Sequence, residues 1–145
     1  MNFLLDTTVV SEWVKTRPNR GVMAWLAEAD EDRVFISVVT LAELRYGIEH
    51  MAAGGRRKRL DEWLQNELTL RFEGRVLPID VAIADCWGMV VARSEAAGRP
   101  IGAMDAFIAA IADVNGMTLV TRNTSHFEVS LEHIINPWVD DESLR

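Results

Sequence analysis

Four polar side chains lie where apolar segments of the sequence begin or end, and their types are those of metal ligands. Asp6 and Asn123 each follow an apolar run. Glu43 lies early in another such segment, and Asp105 directly precedes a third. Carboxylate and amide oxygens are the ligands that Mg²⁺ and Mn²⁺ prefer. If the fold brings the four together, they form a divalent-metal pocket suited to phosphodiester cleavage.

Each of these residues also has a purely structural explanation. Asp6 could cap the first helix, and Thr40-Leu41-Ala42-Glu43 fits a helix-initiating capping box. Asp105 in a first turn would complement the helix dipole, and Asn123 suits a turn. Their combination favours a cation, because two carboxylates about 4 Å apart repel by roughly 4 kcal/mol at an effective dielectric of about 20. Three of them on one edge therefore indicate a metal site.

The elements that must position these side chains are short strands alternating with longer helices. Bounded apolar or β-branched runs predict strands at 2–5, 33–36, 76–79, 117–121 and 132–135. Helical patterns cover 8–15, 19–29, 38–51, 57–72, 81–97 and 104–115. This alternation predicts an α/β fold with a mainly parallel sheet of about five strands.

Three of the four polar residues are expected on one edge of that sheet. In a parallel sheet with crossover helices, the carboxyl ends of the strands and the following helix N-termini share an edge. Asp6, Glu43 and Asn123 follow strands 1, 2 and 4 and so meet there. Two helices separate strands 3 and 4, so this rule alone leaves the position of Asp105 open.

The composition predicts one compact domain. A chain of 145 residues with 49% hydrophobic content can bury a sufficient core by itself. We expect the domain to span residues 1–136, followed by a short acidic tail at 137–145 that frays and carries no chemistry.

The charge and the cysteine content limit the setting. A net charge of −7 argues against a broad electrostatic grip on nucleic acid, so RNA or DNA chemistry would depend on a metal and a few local basic residues. Cys86 is the only cysteine, and the sequence has neither a signal peptide nor a membrane-length apolar run. These features predict a cytoplasmic protein with no membrane association.

Several motifs, in order along almost the whole chain, resemble those of PIN-domain ribonucleases. More narrowly, they are similar to VapC-type toxins of type II toxin–antitoxin systems, of the FitB-like branch. The motifs are Leu4-Leu5-Asp6-Thr7-Thr8-Val9-Val10-Ser11-Glu12, Thr40-Leu41-Ala42-Glu43-Leu44-Arg45-Tyr46-Gly47, Asp105-Ala106-Phe107-Ile108-Ala109-Ala110, Val120-Thr121-Arg122-Asn123-Thr124-Ser125-His126-Phe127 and Asn136-Pro137-Trp138.

The resemblance implies a Rossmann-type three-layer α/β/α sandwich and Mg²⁺- or Mn²⁺-dependent cleavage of RNA that leaves a 5′-phosphate and a 3′-hydroxyl. Asp6, Glu43 and Asp105 match the core acids of the family, which places Asp105 on the same edge. Thr8 replaces a frequent Asn, and Asn123 occupies the fourth acidic position. An amide contributes no charge, which favours a single metal with Asn123 ligating weakly or orienting a water.

The resemblance also implies partners. These are a cognate antitoxin that covers the acidic pocket, an RNA substrate, operator DNA reached only through the antitoxin, and a second copy in a homodimer. Thr7, Arg45 and Arg122 are the candidates for contacting RNA or its phosphates. His126 is interpreted as structural in preference to a general base, and the basic run at 56–59 as a solvated helix start.

Two other functions are weighed against a ribonuclease. A receiver-like or dehalogenase-like phosphotransfer domain also uses a Rossmann-type sheet and Mg²⁺, but it requires paired acids after strand 1, where this chain reads Asp6-Thr7-Thr8. The second alternative is a catalytically weak PIN-like module that only binds a protein partner or acts as a co-repressor. Thr8 and Asn123 are the features that favour this module.

Overall fold

Short strands and longer helices alternate along the chain, as the sequence predicts. The computed structural model describes residues 1–140. Its strands are Phe3–Leu5 (β1), Val34–Ser37 (β2), Val76–Leu77 (β3), Thr118–Val120 (β4) and Ile134–Ile135 (β5). Its α-helices are Thr7–Glu12 (α1), Arg20–Glu28 (α2), Val38–Glu49 (α3), Gly55–Glu62 (α4), Thr69–Arg71 (α5), Val81–Ala96 (α6), Ala103–Val114 (α7) and Thr124–Phe127 (α8). None of the helices within this part of the chain is long and apolar enough to cross a membrane.

The five strands form one parallel sheet in the order β3-β2-β1-β4-β5. Strand β1 lies at the centre and pairs with both β2 and β4. The chain first adds β2 and β3 on one side of β1 and then returns to add β4 and β5 on the other side. Ligands in open α/β sheets bind beyond the carboxyl ends of the strands at such a switch point. Asp6 and Thr121 directly follow the two strands that flank it. The topology therefore places the site beside Asp6.

Helices cover both faces of this sheet, because consecutive strand residues point to opposite sides. Leu4 and Leu119 pack into the core cluster formed with α6 and α7. Leu5 and Val120 pack into a second cluster formed with α1, α2 and the segment from α4 to α5. All four side chains are fully buried. The structure thus confirms the predicted three-layer α/β/α fold with a parallel five-stranded sheet.

The start of one helix and the shortest elements differ from the sequence interpretation. Helix α3 begins at Val38 as predicted, but the capping box that was the structural alternative for Glu43 does not form, because Ser37 caps α3 and its hydroxyl accepts the Thr40 backbone N–H at 3.2 Å. The predicted helix at 57–72 begins at Gly55 and passes through a π-helical segment, Trp63–Leu68. Helix α8 and a 3₁₀ turn at Glu31–Arg33 were not predicted. Elements of three or four residues are too short to show a hydrophobic period.

The first residues of the predicted acidic tail pack against α2. The Asn19 side chain, which caps α2, donates to the Val139 carbonyl at 2.8 Å and accepts from the Val139 N–H at 3.2 Å. Pro137 is buried. Residues 141–145 of the predicted tail lie outside the described residues.

We expect two helical glycines to respond to alanine in opposite directions. A Cβ on Gly21 of α2 would lie 2.2 Å from the Pro137 carbonyl oxygen, whereas a Cβ on Gly88 of α6 meets nothing within 4 Å. Gly21→Ala should destabilise the fold by about 1–3 kcal/mol through overpacking. Gly88→Ala should stabilise it by about 0.5–1 kcal/mol, because alanine restricts the unfolded chain and favours the helix. Urea unfolding midpoints measure both changes, and a shift in the same direction for both variants would contradict this packing.

Candidate active site

The three predicted carboxylates line one cavity at the switch point of the sheet. Asp6 follows β1, Glu43 lies in the second turn of α3, and Asp105 lies in the first turn of α7. The cavity has a volume of about 280 Å³. We call it the acidic cavity; its other lining residues are Thr7, Thr8, Ser11, Lys15, Arg122, Asn123 and Trp138.

Asp6 is the most tightly held of the three acids. Its side chain is 4% exposed. Oδ1 accepts the Thr7 backbone N–H at 2.8 Å, so Asp6 also caps α1 as its structural interpretation predicts. Oδ2 accepts the hydroxyls of Thr121 at 2.7 Å and Thr8 at 3.1 Å. Thr8, which the resemblance marks as a departure, therefore supplies a hydrogen bond to this carboxylate.

A chain of two threonine hydroxyls orients Glu43. The Thr7 hydroxyl donates to Glu43 Oε1 at 2.8 Å and lies 2.9 Å from the Thr40 hydroxyl. Because Thr7 has a single hydroxyl proton, Thr40 must be the donor in the second contact. Thr40 is fully buried on α3. The buried helix face thus fixes Thr7, and Thr7 fixes the glutamate.

The direction of β4 explains how Asp105 reaches the same edge. Helix α7 leads through a short turn into β4, whose first residue lies at the opposite edge because the sheet is parallel. A 12-residue helix spans about 18 Å, so α7 must begin near the carboxyl edge. There Asp105 Oδ2 lies 3.0 Å from Nδ1 of His126 on α8. His126 thus contacts one of the candidate ligands, in addition to lying beside Phe127 as predicted.

Burial and mutual repulsion raise the pKa of two of these acids. Burial is the main cause for Asp6 and outweighs its three hydrogen bonds, and the charge of Asp105 adds to the effect. Burial also raises the pKa of Glu43, helped by the charges of Asp6 and Asp105 and opposed by the Thr7 hydrogen bond. A bound cation would reverse this penalty, because it favours the charged form of every carboxylate around it.

Of the two arginines predicted to contact RNA, one lines the acidic cavity and the other does not. Arg122 lines the acidic cavity, with its guanidinium carbon 5.7 Å from the centre of the Trp138 ring. Arg45 does not line it; its guanidinium binds Asp61 at 2.9 Å and Glu49 at 3.3 Å. Asn123 lies at the cavity, and its side chain makes no capping hydrogen bond to α8.

Sequence reasoning gave no role at the site to three lining residues, Ser11, Lys15 and Trp138. Trp138 lies in the segment that is expected to carry no chemistry, and its side chain nevertheless lines the acidic cavity. Lys15 follows the end of α1 and pairs with the buried Glu12 at 2.5 Å. Glu12 also accepts the Asn19 backbone N–H at 2.9 Å, which fixes the loop that carries Lys15. In the sequence, the one pattern that could have pointed to Lys15 is Glu12 three residues before it, the spacing of an ion pair on a helix.

The donor set of the cavity fits a hard divalent cation that keeps part of its water shell. All the candidate ligands are oxygens, from Asp6, Glu43, Asp105 and the Asn123 amide. Within residues 1–140, no group of three or more His, Cys, Asp or Glu side chains is already arranged to hold a metal ion. Mg²⁺ commonly binds through one or two carboxylates, with water and substrate phosphate completing its octahedron. The residues therefore suit a metal ion that is held partly by the protein and partly by water and the substrate phosphate, better than one enclosed by protein ligands alone.

Comparison with known proteins assigns the chain and its fold to one family. The model of the PIN domain matches residues 3–130. The VapC ribonuclease Y4jK of Sinorhizobium fredii is 39% identical over 135 residues, covering 93% of this chain and 96% of its own. The toxin FitB of Neisseria gonorrhoeae is 36% identical over 137 residues, covering 94% and 99%.

A solved structure agrees with these relatives. The chain matched in the structure of FitAB bound to the IR36 DNA fragment superposes with a TM-score of 0.89 at 34% identity, covering 97% of this chain and 98% of that chain. The family match covers well over half of the sequence and includes Asp6, Glu43, Asp105 and Asn123. This chain belongs to the PIN domain family.

Proposed function

We propose that this chain is an endoribonuclease dependent on Mg²⁺ or Mn²⁺ and acts as the toxin of a toxin–antitoxin pair. The observation that carries the proposal is the convergence of Asp6, Glu43 and Asp105, from three separate elements, on one cavity. The raised pKa values of Asp6 and Glu43 are a cost to the metal-free fold that a bound cation would remove. The relatives named ribonuclease and toxin support the same function.

In this proposal the residues of the cavity have distinct roles. Asp6, Glu43 and Asp105 would hold the metal, which, when bound, polarises the scissile phosphate and lowers the pKa of an attacking water. The Thr7 hydroxyl keeps Glu43 turned into the cavity. The Asn123 amide, which does not cap α8, orients a water or ligates weakly. Arg122 supplies positive charge for the phosphate, whereas Lys15 is paired with Glu12 and Arg45 with Asp61 and Glu49.

The proposed antitoxin would bind a groove that continues from the acidic cavity. A cavity of about 310 Å³ shares Thr7, Ser11, Lys15 and Glu43 with it and is also lined by Arg56. Its other walls are largely apolar, formed by Leu44, Ile48, Met51, Leu60 and Trp63. An apolar segment seated there could place a basic side chain among the three acids. Operator DNA would then be reached through the antitoxin, because this chain carries a net charge of −7. The homodimer and the cytoplasmic location stay predictions.

A catalytically weak binding module is the second candidate function. It is favoured by Asn123 in place of a fourth acid and by the absence, within residues 1–140, of a ready-made metal cluster. The two candidates differ in one assay: the chain purified free of antitoxin cuts RNA in Mg²⁺ or Mn²⁺ only if it is the enzyme.

We expect Asp105→Asn to reduce metal-dependent RNA cleavage by more than about 100-fold. Even partners outside the first coordination shell typically contribute 10- to 100-fold, and a direct ligand contributes more. Cleavage of a labelled RNA by the antitoxin-free chain measures the change, and growth arrest on expression tests it in cells. Asp85→Asn on the exposed surface of α6 is the matched control and should cut normally. Unchanged cleavage by Asp105→Asn would show that the assignment of Asp105 is wrong.

We expect Glu43→Gln to stabilise the metal-free fold increasingly as pH rises. A group with a raised pKa in the folded state contributes its stability below its ordinary value, here 4.5, and loses it as pH rises through the folded value. The amide keeps the acceptor for Thr7 but carries no charge. Unfolding midpoints in EDTA should therefore agree below pH 4.5 and favour the variant near neutral pH. The exposed control Glu95→Gln should have the same midpoint as the wild type at every pH. A lower midpoint for Glu43→Gln than for the wild type at neutral pH would contradict the raised pKa of Glu43.

A further inference from the structure

A second and larger cavity adjoins the acidic cavity, because Asp105 lines both. Its volume is about 550 Å³, roughly that of pockets that enclose a small organic ligand. We call it the flanking cavity. Its lining includes Arg99, Pro100, Ile101, His126 and Val129. The acidic cavity, at about 280 Å³, has room for a phosphate group and its ligands but not for the neighbouring nucleotides.

Arg99 gives the flanking cavity a cation with unused donors. Its Nη2 atom donates to the Ser125 carbonyl at 2.5 Å and lies 3.5 Å from Glu128 Oε2. No hydrogen bond from its Nε or Nη1 reaches another of the described residues, and the side chain is 46% exposed. A guanidinium offers five N–H donors in a planar fork, the geometry that suits phosphate oxygens. Arg99 can therefore bind an anion without giving up its contact to α8.

The remaining walls suit the sugar and base of a nucleotide. Ile101, Pro100 and Val129 supply apolar surface. The His126 ring is 53% exposed and is held at one nitrogen by Asp105. Imidazole rings and apolar side chains stack against the unpaired bases of single-stranded RNA, whereas arginine contacts the backbone. A cation beside an apolar and aromatic wall is the combination that a nucleotide requires.

We propose that the flanking cavity binds the ribonucleotide next to the scissile phosphate, with Arg99 on a backbone phosphate and the His126 ring beside the sugar or base. The proposal rests on the proposed ribonuclease function, since it assigns the path of the RNA strand out of the acidic cavity. An acidic protein segment would also find a cation in Arg99. RNA is the better fit because the cavity is continuous with the proposed cleavage site at Asp105.

The test is the binding of a labelled single-stranded oligoribonucleotide in EDTA and low salt, where no cleavage occurs. Loss of one phosphate contact should weaken binding and reduce the slope of log K against log salt by about 0.7. We expect this loss for Arg99→Gln. The matched control is Arg33→Gln at the opposite edge of the sheet, where Arg33 pairs with Asp30 at 3.6 Å much as Arg99 pairs with Glu128. It should leave the slope unchanged.

Glu128→Gln separates a phosphate contact from a purely structural role of Arg99. Removing this carboxylate frees the guanidinium and removes a negative charge, so RNA should bind more tightly, by about two- to fivefold for one exposed ion pair. If Arg99 only anchors α8, Glu128→Gln would weaken binding or leave it unchanged, and the proposal would be overturned. An unchanged salt slope for Arg99→Gln would overturn it as well.

Failure of this proposal can be told apart from failure of the ribonuclease assignment. If the chain cuts RNA but Arg99→Gln does not change its RNA affinity, only the proposal that the flanking cavity binds RNA is disproved. A chain that binds RNA through Arg99 but never cuts it in Mg²⁺ or Mn²⁺ disproves the ribonuclease assignment. The contact between Arg99 and RNA would then stand by itself.

Discussion

The burial of carboxylates that also repel one another is the constraint around which the site of this protein is built. Burial raises the pKa of Asp6 and Glu43, and the charge of Asp105 raises both further. Hydrogen bonds offset part of this cost. The Thr8 and Thr121 hydroxyls donate to Asp6, and the Thr7 hydroxyl donates to Glu43. These neutral donors fix the orientation of the acids without cancelling their charge. The carboxylates of Asp6 and Glu43 therefore keep their charge available to a cation.

The parallel sheet explains why acids so far apart in sequence meet. The strand order β3-β2-β1-β4-β5 puts the switch point between β1 and β4, and residues after both strands reach it. Asp6 accepts the Thr121 hydroxyl across that gap at 2.7 Å. Helix α7 must start at the same edge because it leads into the beginning of β4. The same arrangement leaves Asp105 shared between the acidic and flanking cavities.

The sequence predicts well whatever depends on local periodicity and on the order of strands and helices. The fold class, five strands and the edge that carries Asp6, Glu43 and Asn123 follow from those patterns. Contacts between distant surface elements are not encoded locally. Arg45 looked available for RNA, but Asp61 on α4 binds it. Trp138 and Lys15 reach the cavity from a terminal segment and a loop, whose positions depend on packing around Asn19 and Glu12.

The most direct test of the central claim is the effect of Mg²⁺ or Mn²⁺ on the thermal unfolding of the EDTA-treated chain at neutral pH, for the wild type and Asp6→Asn. A cation that binds only the folded state at 100 times its Kd stabilises that state by about 2.7 kcal/mol. The repulsion among the three acids predicts a rise of the wild-type midpoint that Asp6→Asn largely loses. A wild-type midpoint that does not respond to either metal, or an equal rise in both proteins, would contradict it.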